Sequence, residues 1–98
     1  MKQLIEKVKQ WAEDKGIIDS NDPDAQMWKT LEEVDELYSD LKAGNLEGAK
    51  IELGDVLVTL IIQCELQGWD FEECLQLAYD KIKNRKGKMV DGQFVKEK

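Results

Sequence analysis

The feature that most constrains the fold is a pair of acids at the start of the most apolar segment of the chain. Glu52 and Asp55 lie directly before the apolar run 56–64. A carboxylate is costly to bury unless a partner neutralises it, and a helix this apolar is expected to be buried. At 100° per residue, Thr59 and Gln63 lie on the same side of a helix as the two acids. The four residues form one narrow polar stripe. The segment therefore predicts a core helix whose acidic strip faces a specific partner.

Composition limits the class of protein. With 98 residues, 42% hydrophobic and 36% charged, the chain predicts one mostly helical domain, residues 1–98, that association with further copies would stabilise. The net charge of −7 argues against nucleic-acid and membrane partners. The chain has no histidine, which excludes histidine acid–base chemistry and the usual zinc sites.

Two further features concern the cellular compartment. Cys64 and Cys74 lie in apolar helical patterns without metal-ligand spacing, so we expect reduced core thiols. The N-terminus has no apolar signal core, and the run 56–64 is too short to span a bilayer. These features predict a soluble cytoplasmic protein.

Apolar spacing and capping residues predict an all-α, four-helix bundle-like protomer with a short C-terminal hairpin or arm. The helices are expected at about residues 2–15, 23–43, 45–67 and 71–86, with a linker at 17–21. An Asp-Gly pair predicts the hairpin turn, near residues 89–95. The predicted core face of the second helix consists of apolar residues at helical spacing: Met27, Leu31, Val34, Tyr38 and Leu41.

A second acidic pair lies on the second helix. Glu33 and Glu36 are three residues apart on one edge of it, as Glu52 and Asp55 are on the third helix. A very short turn joins the two helices, so we expect antiparallel neighbours whose acidic edges share a groove. Each acid alone is typical of a solvated surface, but four carboxylates together require either a cation or strongly raised pKa values. Oxygen-only ligands favour Mg²⁺, with Mn²⁺ as a possible substitute.

The two pairs, Glu33-xx-Glu36 and Glu52-xx-Asp55, resemble the ExxE and ExxD motifs of the MazG-like all-α nucleoside triphosphate pyrophosphohydrolases. The likeness extends from Trp11-Ala12 through the acids to the stretch 85–92, and is strongest to short proteins of Gram-positive bacteria and their phages. The resemblance implies hydrolysis of a nucleoside or deoxynucleoside triphosphate to the monophosphate and pyrophosphate.

The resemblance and the acidic residues together suggest roles for the site. The four acids would hold Mg²⁺, and Glu33 or Glu36 would also orient and deprotonate the attacking water. The triphosphate would require cations, which are expected among residues near the acids and after the fourth helix: Lys29, Lys81, Lys83 and Arg85. The alternative explanation for the basic residues after the fourth helix is structural. Lysine and arginine at the C-terminal end of a helix commonly compensate the negative end of its dipole.

Two further residues are candidates for contacts to the nucleoside. Asn84 could contact the sugar or base, and Trp28, which lies off the predicted core stripe, could stack on a base or meet another subunit. The apolar third helix and the resemblance both predict a homodimer or homotetramer. One alternative function is a catalytically silent helical module whose acids bind a cation or a basic partner. Another, within the same class of enzymes, is a pyrophosphatase specific for phosphoribosyl-ATP or dUTP.

Overall fold

The structure, a computed structural model, describes residues 1–97. This part of the chain contains five helices and one antiparallel two-stranded sheet. The elements are α1 Lys2–Asp14, α2 Ile17–Ser20, α3 Pro23–Ala43, α4 Leu46–Gln67, α5 Phe71–Ile82, β1 Gly87–Val90 and β2 Gln93–Lys96. The prediction of an all-α protein with a short C-terminal hairpin is confirmed.

The helices begin where side chains cap their free backbone amides. The Asp22 carboxylate accepts from the Ala25 amide at 3.0 Å, Asn45 Oδ1 from Gly48 at 3.2 Å, and Asp70 from Glu72 at 3.3 Å. Such capping satisfies donors that have no partner inside the helix. Gly44 ends α3 with a φ of +75°, which glycine adopts at low cost. The resulting two-residue turn, Gly44-Asn45, makes α3 and α4 antiparallel neighbours.

Two boundaries differ from the sequence prediction. The expected linker after α1 contains a one-turn helix, α2, because Ile17 and Ile18 are half-buried and hold the segment against the fold. The helix expected to run to about Gly87 ends at Ile82. The charged stretch 83–86 that follows has no apolar side chain with which to continue a packed face.

The core surrounds α4, which packs against both α3 and α1. Its buried apolar residues are Ala49, Ile61 and Ile62, and α1 contributes Ile5 and Ala12. At the edge of this core, Lys9 of α1 pairs with Glu65 of α4 at 3.3 Å.

The predicted core face of α3 is wrong for the single protomer. The helix instead packs on α4 through a mostly polar face that includes the buried Thr30 and Glu33. Gln26 Nε2 donates across this interface to the Thr59 carbonyl at 3.1 Å. The predicted core residues are exposed by 40 to 59% of their surface: Met27, Leu31, Val34, Tyr38 and Leu41. We call these five residues the α3 apolar stripe.

Other predicted apolar faces are also only partly covered. On α1, Leu4 is exposed although Ile5 is buried, and on α5 only Phe71 and Cys74 are even half-buried. All three tryptophans, Trp11, Trp28 and Trp69, are exposed. The radius of gyration is 15.9 Å, whereas a compact domain of about 100 residues has about 13 Å. The protomer is therefore more open than a typical domain of its length.

The remaining predictions concern cysteines and membranes. Cys64 and Cys74 are free thiols and half-buried; burial, with the neighbouring Cys74, raises the pKa of Cys64 to about 11. None of the helices within residues 1–97 is long and apolar enough to cross a membrane.

Candidate metal centre

Three of the four predicted metal-binding acids converge between α3 and α4. Carboxylate oxygens of Glu33, Glu36 and Glu52, one from each, lie within 4.8 Å of one another. We call these three residues the glutamate cluster. Glu33 is buried, Glu52 is half-buried and Glu36 is exposed, so the cluster has a closed end in the helix interface and an open end at the surface.

Lys29 partly neutralises the closed end of the cluster. Its Nζ lies 3.1 Å from Glu33 Oε1 and 3.2 Å from Glu32 Oε2. The hydrogen bond from Lys29 lowers the pKa of Glu33, although burial opposes this effect. The same contacts raise the pKa of Lys29. Lys29 was predicted as a substrate contact, and here it is an ion-pair partner of a predicted metal ligand.

Glu52 is the member of the cluster whose ionised form is most disfavoured by its surroundings. The neighbouring Glu33 carboxylate, burial and the nearby Glu36 raise the pKa of Glu52 to about 7. One of its oxygens, Oε2, is buried and has no hydrogen-bond partner in the described structure. A buried carboxylate oxygen without a donor is costly, and a cation would supply the missing partner.

The three glutamates fit a hard divalent cation. They offer only carboxylate oxygens, the donors that Mg²⁺ and Mn²⁺ accept, and no softer ligand is present in the cluster. The open side at Glu36 would leave room for further oxygen ligands from solvent or from a phosphate group. A magnesium-type centre is thus chemically suitable here.

Asp55 lies outside the glutamate cluster. It is half-buried one turn after Glu52 and lines a cavity of about 330 Å³ between α1 and α4, together with Lys7, Val8, Trp11 and Val58. Its helical spacing from Glu52 matches the prediction, but its surroundings differ from those of the three glutamates.

The other predicted substrate residues are not assembled around the cluster within one protomer. Trp28, next to Lys29 on α3, is 67% exposed. Lys81 lies in the last turn of α5, Lys83 pairs with Asp80 at 3.2 Å, and Asn84 and Arg85 are exposed in the following turn. Among the described residues, α5 contacts α4 and makes no contact with α3.

Two features of this interface were not predicted from the sequence. The Lys29–Glu33 pair could have been found from its i, i+4 spacing, which brings opposite charges together on a helix. Gln26 gave no comparable signal, because its partner is a backbone carbonyl 33 residues away.

The fold and site together define an all-α protein with a cluster of carboxylates, suited to a metal ion, between two antiparallel helices. Residues 21–90 match the family model described as the MazG nucleotide pyrophosphohydrolase domain. The chain belongs to the MazG family, which is metal-dependent, and membership supports nucleotide pyrophosphohydrolase activity in general.

One similar protein is an uncharacterized 18.2 kDa protein in the rep-hol intergenic region of Haemophilus phage HP1 (strain HP1c1). It is 34% identical to this chain over 62 residues, which cover 63% of this chain and 38% of the phage protein. The match therefore spans much less than two thirds of the phage protein. No solved structure matches the chain.

Proposed function

We propose that the protein hydrolyses a nucleoside or deoxynucleoside triphosphate to the monophosphate and pyrophosphate at a site built on the glutamate cluster. The observation that carries this proposal is the convergence of Glu33, Glu36 and Glu52 inside the region matched by the family model. Asp55, one turn from Glu52, is the proposed fourth ligand. Bound Mg²⁺ would neutralise phosphate oxygens and stabilise the charge that develops on them.

The surroundings of the two candidate bases favour Glu36. Glu33 is buried and bonded to Lys29, which lowers its pKa and makes it a weaker proton acceptor. Glu36 lies at the open end of the cluster, where its carboxylate meets solvent. We assign Glu36 the role of orienting and deprotonating the attacking water, and Glu33 a role as ligand.

The test is pyrophosphate release from a panel of ribo- and deoxyribonucleoside triphosphates with Mg²⁺ or Mn²⁺. Glu52→Gln should abolish release, and its matched control is Glu32→Gln, an exposed glutamate outside the cluster. Circular dichroism should show helical spectra for both variants. Orthophosphate without pyrophosphate, or no release from any nucleotide, would overturn the proposal.

A second candidate function is a silent interaction module, and the exposed α3 apolar stripe favours it. The same nucleotide panel separates the two functions. Cation binding at the glutamate cluster without turnover of any triphosphate would support the module.

The proposed assembly is a homodimer or homotetramer in which the α3 apolar stripe meets a second copy. Leu53 and Leu57 of α4 are also exposed, and at 100° per residue they lie on the same side of the antiparallel α3–α4 pair as the stripe. Such a continuous apolar surface is characteristic of an interface. Two copies that pair these surfaces would bury side chains that one open protomer leaves in water.

A further inference from the structure

The C-terminal hairpin is specified by its own residues. Its turn, Asp91-Gly92, has φ values of +49° and +80°, and the two positive values match the turn that suits the twist of paired strands. The two strands are paired along their whole length, with Gly87 opposite Lys96 at one end and Val90 opposite Gln93 at the other. A Cβ at Gly87 would come within 2.6 Å of the Phe94 ring, so glycine allows that ring to lie over β1.

This hairpin nevertheless lacks a cover in its own protomer. No helix of residues 1–97 contacts either strand, and every strand residue is exposed. Met89 and Phe94 are directly opposite each other and expose 64% and 53% of their surfaces. Because two strands alone are marginally stable in water, an ordered hairpin with an apolar pair needs a surface to pack on.

The charge distribution points to that surface. Residues 81–98 contain seven of the 14 Lys and Arg residues but two of the 21 Asp and Glu residues, which gives this segment a net charge of +5. Residues 1–80, which contain all five helices except the last two residues of α5, carry the remaining −12. The chain is therefore a basic arm attached to an acidic helical body.

We propose that the C-terminal hairpin of one copy docks on the acidic helical body of a second copy. The body has the opposite charge, and its own hairpin does not contact it. An external nucleic acid is a poorer occupant, since the net charge of −7 would repel it. This docking between copies, which we call hairpin exchange, is independent of the nucleotide chemistry proposed for the glutamate cluster.

Photo-cross-linking tests whether the hairpin of one copy contacts the helical body of another. Phe94 is replaced by p-benzoylphenylalanine in ¹⁴N-labelled and ¹⁵N-labelled protein, and the two samples are mixed, allowed to exchange subunits and irradiated. Mass spectrometry should find cross-links to residues 1–80, with about half joining peptides of different label, as random pairing of copies requires. Cross-links that join only peptides of the same label, cross-links to nucleic acid, or no cross-link would overturn the proposal.

Charge reversal tests the electrostatic part. Lys88→Glu should reduce the cross-link yield about fivefold or more at low salt, and added salt should reduce the wild-type yield as well. Lys50→Glu is the matched control, because Lys50 is an exposed lysine of the body and the substitution changes the net charge equally. Equal yields for the two variants would overturn the proposed charge pairing. Pyrophosphate release, measured on the same samples, reports the nucleotide chemistry separately.

Discussion

Lys29 Nζ lies 3.1 Å from Glu33 Oε1, so a lysine occupies the closed end of the candidate metal centre. The Glu33 side chain is 10% exposed, whereas that of Lys29 is 54% exposed. One partner of the pair is thus shielded from water, and the other reaches the surface. Lys29 therefore compensates a buried negative charge in the metal-free protein.

Removal of this lysine should destabilise the metal-free protein slightly. Lys29→Met should lower the free energy of unfolding by at most about 1 kcal/mol, because Lys29 is largely solvated while its partner is not. Lys50→Met is the control, since Lys50 and Glu47 are 3.9 Å apart and both highly exposed. Urea unfolding with a chelator present measures both variants. If Lys50→Met lowered the free energy of unfolding as much as Lys29→Met does, the Lys29–Glu33 pair would have no special role in stability.

The raised pKa of Glu52 predicts the pH dependence of stability. Between its ordinary value near 4.5 and its folded value of about 7, the folded protein binds more protons than the unfolded chain. The free energy of unfolding of the metal-free protein should therefore fall as the pH rises through this window. The lowered pKa of Glu33 acts at lower pH, below 4.5.

Glu52→Gln should remove this fall, because the amide does not titrate. Urea unfolding between about pH 5 and pH 7 with a chelator measures the slope. Glu47→Gln, an exposed glutamate at the start of the same helix, should keep the slope of the wild type. A wild-type protein that gains stability across this range would contradict the assignment.

The elements were predictable where local chemistry determines them. Asp22, Asn45 and Asp70 cap helices because of their side-chain oxygens, and Asp91-Gly92 forms its turn because both residues tolerate positive φ. The convergence of Glu33, Glu36 and Glu52 was also predictable, because i, i+3 spacing and a two-residue turn bring those helix edges together.

The packing of α3 was not predictable in the same way. Helical periodicity identified the apolar side, Met27 to Leu41, but does not say whether the same chain covers it. Within the protomer, α3 instead contacts α4 through Gln26 and Thr30, whose contacts depend on how the two helices cross. The place of Asp55 and the distance of the α5 cations from the acids likewise depend on tertiary packing.

A charge placed in the α3 apolar stripe should dissociate the proposed oligomer. Val34→Lys would put an ammonium group among the apolar side chains of the stripe, which should weaken association at least tenfold, about 1.4 kcal/mol. Ser39→Lys is the control, because Ser39 is exposed on the same helix but lies off the stripe. Sedimentation velocity over a range of concentrations measures both variants. Monomeric wild-type protein, or equal dissociation of the two variants, would contradict the proposed interface.

Substitution of Asp55 distinguishes between three and four ligands at the proposed metal centre. Asp55 is one turn from Glu52 but lines the cavity next to α1, so its carboxylate must turn toward the glutamate cluster to contact the same cation. If it does, Asp55→Asn and Glu52→Gln should each weaken Mn²⁺ binding by about tenfold or more, as measured by titration calorimetry.

Asp35→Asn is the matched control for this comparison. Asp35 lies beside Glu36 on α3, is exposed and stands outside the cluster, so its substitution removes the same charge without removing a proposed ligand. Its Mn²⁺ affinity should change by no more than about twofold, the effect of one screened surface charge. If Asp55→Asn binds Mn²⁺ as Asp35→Asn does while Glu52→Gln does not, the three glutamates alone form the centre, and Asp55 belongs to the contact between α1 and α4.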